Sequence, residues 1–216
     1  MVLDILVTGG TGYVGRHLIP RLVARAHRVR VLVRAASAQR VPAGAATVIG
    51  DALDAPSVGA ALKAGDTIIH LVGTPHPSPS KAEQFEKVDL VSIRATVSAA
   101  KPIDCKQLIY ISVAQPAPIM REYQAARAAG EQAIADLHLT ATIIRPWYVI
   151  GPGRRWPLML MPMYALAELV PAWRSEARRL GLVTIEQMVN ALVRAVEHPP
   201  SAGSVRIVDV SGIRAA

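Results

Sequence analysis

Residues 3–34, LDILVTGGTGYVGRHLIPRLVARAHRVRVLVR, constrain the fold more tightly than any other stretch of this chain. Leu3, Ile5, Leu6 and Val7 form a short apolar run of strand-forming residues. Gly9, Gly12 and Gly15 follow at three-residue spacing, and Leu18, Ile19, Leu22 and Val23 then recur with helical period. Val29, Val31, Leu32 and Val33 make the next strand. Three spaced glycines alone are a weak signal, and a glycine turn can simply join two elements. Here the glycines sit between a strand and a helix, the context in which the spacing has a mechanism. Gly9 permits a tight turn, Gly12 has no side chain to hold a pyrophosphate off the backbone, and Gly15 lets helix and strand pack closely. The helix start adds free N–H groups and the positive end of its dipole. The stretch reads as a dinucleotide-binding turn.

The end of the second strand bears on which dinucleotide. An acidic residue about 20 positions beyond the glycines would hydrogen-bond the ribose 2′-hydroxyl of NAD. This chain has Arg34 there, followed by Ala35, Ala36 and Ser37. A guanidinium matches a 2′-phosphate in charge and in its two-pronged donor geometry. Arg40 is placed to assist. NADP(H) is expected over NAD(H).

At 216 residues, the chain fits one domain with a sizeable core. Half the residues are hydrophobic and few are aromatic, as expected of a buried parallel sheet covered by helices. The single Cys105 cannot form an internal disulfide, which points to a reducing, cytoplasmic compartment. Asp4 interrupts the first apolar run, so that run reads as part of the fold and not as a secretory signal. The longest apolar candidate, Trp156 to Val170, is broken by Pro157 and Pro162 and is too short to span a membrane. The formal charge of +8 would permit a polyanionic partner. The arginines are scattered, however, with no basic run interleaved with aromatics, so no nucleic-acid partner is expected. Arg16, Arg21, Arg25, Arg28 and Arg30 read as a solvated basic face. No His, Cys and Asp spacing suggests a metal site.

Strand-like and helix-like segments alternate, which predicts an α/β fold with a doubly wound parallel sheet. Strands are expected at Thr47–Ile49, Thr67–Val72, Gln107–Ser112 and Thr140–Arg145, and helices near Ser57–Lys63, at Ala82–Lys101 and from about Met120 to Leu137. Gly73–Ser80 is a Pro- and Ser-rich loop. Residues 1–153 read as the dinucleotide-binding core and 154–216 as a small C-terminal portion on the substrate side. Within the latter, the apolar run from Trp156 to Leu169 either packs or lines a pocket. Leu180–Thr184 reads as a strand, Ile185–Val196 as an amphipathic helix and Ser204–Val210 as a last strand.

VTGGTGYVG, then GDALD at Gly50–Asp54, IIHLVGT at Ile68–Thr74, LIYISV at Leu108–Val113 and TIIRPWYVIGPG at Thr142–Gly153 occur in order along nearly the whole chain. Together they resemble the extended and atypical short-chain dehydrogenase/reductases, which include NAD(P)-dependent epimerase/dehydratase-like and NmrA-like proteins. The chain is short for an extended member and looks closer to the compact atypical branch. The resemblance implies a Rossmann fold and assigns positions. Tyr13 and Val14 would sit beside the pyrophosphate. Asp51 would contact the adenine amino group and Leu53 would flank the ring. Leu71, Val72 and Gly73 would lie under the adenosine ribose, and Pro146 and Trp147 would line the nicotinamide side. Asp51 also stands where a helix cap would.

Active members of that superfamily pair a Tyr with a Lys four residues later, on one helix face. The Tyr exchanges a proton with the substrate oxygen, and the Lys supplies positive charge and holds the nicotinamide ribose. A tyrosine hydroxyl ordinarily titrates near 10, so the charge matters. Here the pair is Tyr123 and Arg127. Arginine keeps the charge, but its fork points differently from an ammonium. The helper Ser is Ser112, the one hydroxyl near the end of the fifth strand, although Val113 and Ala114 occupy the positions where the family's Ser is expected. His70 reads as a core histidine, His76 as a substrate-edge residue, and Asp89 as a group that orders water or backbone.

The expected function is an NADP(H)-dependent oxidoreductase acting on a small carbonyl or alcohol. The alternative is a dinucleotide-binding redox sensor or partner-binding protein without turnover. A sugar-nucleotide epimerase or dehydratase would need a larger C-terminal portion.

Overall fold

Alternation along the strands decides the layering. In the computed structural model, which describes residues 1–154, 159 and 179–216, strand β1 (Asp4–Thr8) buries Ile5 and Val7 with one helical layer and Leu6 with the other. Strand β2 (Arg28–Val33) does the same, with Val29, Val31 and Val33 on the first face and Leu32 on the second. A period-2 strand that is apolar on both faces belongs inside a parallel sheet.

The remaining strands are β3 (Ala46–Ile49), β4 (Thr67–His70), β5 (Gln107–Ile111), β6 (Ala141–Ile144), β7 (Tyr148–Ile150), β8 (Leu182–Thr184) and β9 (Val205–Val208). Seven of the nine described strands form one parallel sheet in the order β3-β2-β1-β4-β5-β6-β9. β7 and β8 pair in a second, two-stranded parallel sheet. The chain order reverses at β1 and β4. Their carboxyl ends therefore diverge into the crevice where ligands of such sheets bind.

Among the described residues the α-helices are α1 (Tyr13–Ala24), α2 (Ala55–Ala61), α3 (Ala82–Gln84), α4 (Val91–Ala100), α5 (Arg121–Asp136), α6 (Ile185–Glu197) and α7 (Val210–Arg214). α1 packs beside α6 on the face of Ile5 and Val7, while α2, α4 and α5 cover the face of Leu6. Each aliphatic side chain buried between layers contributes about 1.5–3 kcal/mol, so these faces and not helix propensity hold the layers together. Asp54 caps α2 by accepting from Ser57 N at 2.9 Å. Thr184 and Gln187 close a reciprocal capping box at α6.

Several boundaries differ from the sequence reading. β4 stops at His70 and not at Val72, because the backbone of Leu71 and Val72 turns to meet Gly9. The run expected as one helix from Ala82 contains a π-helical turn, Phe85–Leu90, between α3 and α4. The wide turn carries Phe85 and Asp89, both buried, against the site helix α5. The last strand ends at Val208, and Asp209 caps the short α7 through Gly212 N. β7 was not expected at all. The helix cap after β3 is Asp54 and not Asp51. The basic face is also more committed than its spacing suggested. Arg30 is sunk against Asp66 at the amino end of the sheet, Arg28 pairs with Asp4, and Arg25 lies 3.8 Å from Glu197.

Candidate dinucleotide cleft and active site

The glycine turn opens onto a cleft of about 360 Å³ at the carboxyl ends of the central strands. Gly9 has φ +72°, and a Cβ there would lie 2.7 Å from Leu71 C and Val72 N. A Cβ on Gly15 would lie 2.2 Å from Gly10 O. Both glycines are therefore demanded by the protein's own packing. Gly12 is different: a Cβ there would meet only Gly9 O, at 3.1 Å. Its missing side chain keeps open a cradle that faces the cleft. Gly12 also stands at the N-cap of α1 without a capping side chain, and the first turn holds no acidic residue. The first N–H groups of α1 are thus uncapped by any side chain. An anionic pyrophosphate fits this cradle in both space and charge.

Of the residues expected at a site, Gly9, Gly12, Tyr13, Val14 and Gly15 line one part of the cleft. Leu71, Val72 and Gly73 follow from the end of β4, and Ser112, Tyr123, Arg127, Pro146 and Trp147 complete the substrate side. Arg34, Asp51 and Leu53 lie outside this lining, at the ends of the neighbouring strands β2 and β3. Gly50 N donates to Val33 O at 2.9 Å, which joins these two strand ends. Arg34 is exposed, and Arg40 donates to Ser37 Oγ at 2.6 Å. Asp51 accepts from Leu53 N at 2.9 Å and shapes the turn.

Arg127 departs most from the expectation. Its guanidinium turns inward and does not stand free toward a ribose. Nη2 donates to Asp89 Oδ1 at 2.7 Å, and Nη1 donates to Ile111 O at 2.9 Å. A Cβ on Gly73 would lie 2.2 Å from Nη2, so this glycine makes room for the guanidinium. The guanidinium carbon is 5.2 Å from the Tyr123 ring centroid and 5.6 Å from that of Tyr110. Burial works against the charge. Tyr123, Tyr110 and Asp89 outweigh it, and the group is held more firmly protonated than a free arginine. Asp89 also accepts from Thr74 N at 2.8 Å and Thr74 Oγ1 at 2.6 Å, so one carboxylate ties α5 to the loop after β4.

Tyr123 is half-buried against Phe85, with ring centroids 5.0 Å apart. Among the described residues no hydrogen bond holds its hydroxyl. Ser112 is buried, and its hydroxyl donates to Glu131, which also binds Gln115 and Arg145. Its proton is therefore already committed. His70 is enclosed by Thr8, Thr96 and Ser92 hydroxyls at 3.0–3.2 Å. Burial, aided by the Arg127 charge, pushes it down to about 3, so it is a neutral core histidine. His76 is exposed at the mouth, with φ +49°. The apolar segment 156–170 lies, apart from exposed Met159, outside the described residues.

Thr74 and Arg154, which no sequence pattern had singled out, both line the cleft. Thr74 could have been flagged as a hydroxyl directly after a strand end. Arg154 directly follows the Pro-Gly turn that closes the quoted motif. Among the described residues no cluster of His, Cys, Asp or Glu could hold a metal, and no helix is long and apolar enough to cross a membrane.

The chain is 29% identical over 213 residues to a ceramide reductase of Caulobacter vibrioides, an alignment covering 95% of this chain and 64% of that protein. It is 26% identical over 167 residues to a quinoline-oxide ketoreductase of Stigmatella aurantiaca, covering 67% of this chain and 50% of the relative. The chain thus spans between half and two thirds of the length of these relatives. Among solved structures it superposes on a UDP-galactose 4-epimerase with a TM-score of 0.71 and 21% identity, over 95% of this chain and 76% of the other. It superposes on the NAD complex of UDP-glucuronic acid 4-epimerase from Bacillus cereus with a TM-score of 0.69 and 20% identity, over 96% and 77%. These likenesses establish the fold. With residues 5–211 matching the family's pattern, the chain belongs to the NAD dependent epimerase/dehydratase family, within the short-chain dehydrogenase/reductase superfamily.

Proposed function

We propose that the chain is an NADP(H)-dependent oxidoreductase acting on a small, mostly apolar carbonyl or its alcohol. One observation carries the reading. Tyr123, its hydroxyl unbonded within the described protein, stands beside the fixed Arg127 charge in the same cleft as the bare glycine turn. A nicotinamide cofactor, when bound, would supply or accept the hydride. The protein's residues do the rest. Tyr123 donates a proton to the carbonyl oxygen in reduction and takes one from the alcohol in oxidation. Arg127 stabilises the negative charge left on the phenol oxygen, and it acts from a fixed position because Asp89 and Ile111 O hold it. Ser112, bound to Glu131, is a positioning residue for the end of β5. Leu71, Val113, Pro146 and Trp147 give the cleft an apolar wall that excludes water. Arg34, with Arg40, would meet the 2′-phosphate, while Asp51 and Leu53 would hold the adenine. Residues 1–153 form the cofactor core and 154–216 the substrate side. The reductase names of the relatives support this class of reaction.

A second reading, a dinucleotide-binding protein without turnover, draws on the inward commitment of Arg127 and the occupied hydroxyl of Ser112. The two are separated by titrating the protein with NADPH and NADH and then following NADPH consumption over a panel of aldehydes and ketones. An oxidoreductase turns over at least one of them. Tight binding with no turnover across the panel favours the second reading.

A further inference from the structure

We infer that Arg154 is a direct ligand of the cofactor's diphosphate, adding a charged side-chain contact to the amides of the glycine turn. The inference rests on the reading of the cleft as a dinucleotide site. Arg154 ends the turn after β7, which is closed by Arg154 N donating to Gly151 O at 2.9 Å and Gly151 N donating to Arg154 O at 3.3 Å. Gly153, at φ +75°, allows the reversal. The turn is braced on α1, where a Cβ on Gly151 would come within 2.4 Å of the Tyr13 hydroxyl. From this turn the Arg154 guanidinium carbon sits 4.2 Å from the Tyr13 ring centroid. Tyr13 is the first residue of α1, directly after Gly12, and both residues line the cleft with Arg154.

The electrostatics of this corner are unbalanced. α1 begins with no acidic residue and no side-chain cap. Arg154 has no ion pair and no side-chain hydrogen bond among the described residues. The Tyr13 hydroxyl, shut off from solvent, also has no hydrogen-bond partner there. A full positive charge therefore lines the same cleft as the positive end of a helix dipole, an arrangement that is repulsive by itself. A diphosphate between them reverses the sign of both terms. Stacking on Tyr13 occupies one face of the guanidinium and leaves its edge donors in the plane where oxygens are bound. The glycine turn offers only backbone amides, so Arg154 would supply the side-chain charge at the diphosphate.

The test uses the whole chain and no substrate. NADPH, ADP-ribose and adenosine are titrated by calorimetry into the unmodified protein, Arg154→Met and Arg154→Lys. Methionine keeps an apolar stem on the Tyr13 ring and removes the charge. Arg154→Met is expected to weaken NADPH and ADP-ribose by roughly 10-fold or more, the scale of a hydrogen bond to a charged group, and to leave adenosine unchanged. Arg154→Lys recovers part of the loss. Unchanged ADP-ribose affinity in Arg154→Met overturns the assignment. So does an equal loss for adenosine and ADP-ribose, which would make Arg154 a shaping residue only. If the unmodified chain binds no dinucleotide, the cofactor reading itself fails and this assignment with it, a result distinct from a silent Arg154→Met.

Discussion

Arg127 and Asp89 form a buried ion pair, Nη2 to Oδ1 at 2.7 Å, beneath the proposed acid/base tyrosine. The pair joins α5 to the π-helical turn before α4, and through Thr74 it reaches the loop after β4. A buried pair contributes little net stability when intact, but breaking it is costly because the surviving charge stays unsolvated.

Asp89→Ala is therefore expected to lower unfolding stability by about 3–5 kcal/mol, since it strands Arg127 and also removes both Thr74 contacts. Asp89→Asn keeps an acceptor and costs less. Urea unfolding of both variants checks this. A loss below about 1 kcal/mol for Asp89→Ala would show that the charge has another partner.

The three glycines separate into two classes. Gly15→Ala, facing backbone at 2.2 Å, is expected to destabilise the fold by about 1–3 kcal/mol or more. A Cβ on Gly12 would meet only Gly9 O, at 3.1 Å, so Gly12→Val is expected to leave the fold largely intact and to abolish nucleotide binding. Thermal unfolding and NADPH titration of the two variants distinguish these effects. A folded Gly12→Val protein with normal affinity would remove the pyrophosphate from this turn.

Arg34 stands exposed at the end of β2, where an acidic residue would mark NAD. NADPH is expected to bind more tightly than NADH by roughly 1–3 kcal/mol, and Arg34→Glu to narrow or reverse the gap. Equal affinities in the unmodified protein would refute the preference.

The fold was legible because strands and helices differ in apolar period, and Ile5, Val7 and Leu6 sort cleanly to two faces. The glycine turn was legible because backbone geometry demands Gly9 and Gly15. What escaped was long-range. Nothing in the spacing of Tyr123 and Arg127 shows that Asp89, 38 residues away, turns the guanidinium inward. Nor does it show that Glu131 takes the Ser112 proton. The π-helical turn at Phe85–Leu90 follows from tertiary packing of Phe85 and Asp89, and no local propensity marks it. β7 was missed because three residues after a proline carry too little pattern.

His70 gives a pH prediction with a definite sign. Its folded value is about 3, below the ordinary value near 6.5, so the folded state binds fewer protons than the unfolded chain. The stability it contributes is full above about pH 6.5 and is lost as pH falls toward 3. Between about pH 7 and about pH 4 the unmodified protein is expected to lose roughly 3 kcal/mol more than a His70→Gln variant, measured by urea unfolding at both pH values. Parallel losses would mean that His70 is protonated in the folded state.

The most direct test of the proposed chemistry is NADPH consumption under single-turnover conditions, with unmodified and Tyr123→Phe protein side by side on an accepted carbonyl. The two proteins are expected to bind NADPH equally, while Tyr123→Phe reacts roughly 10²–10⁴-fold more slowly, the usual loss for a positioned acid or base. Equal rates at equal NADPH occupancy would contradict the assignment and remove Tyr123 from the reaction.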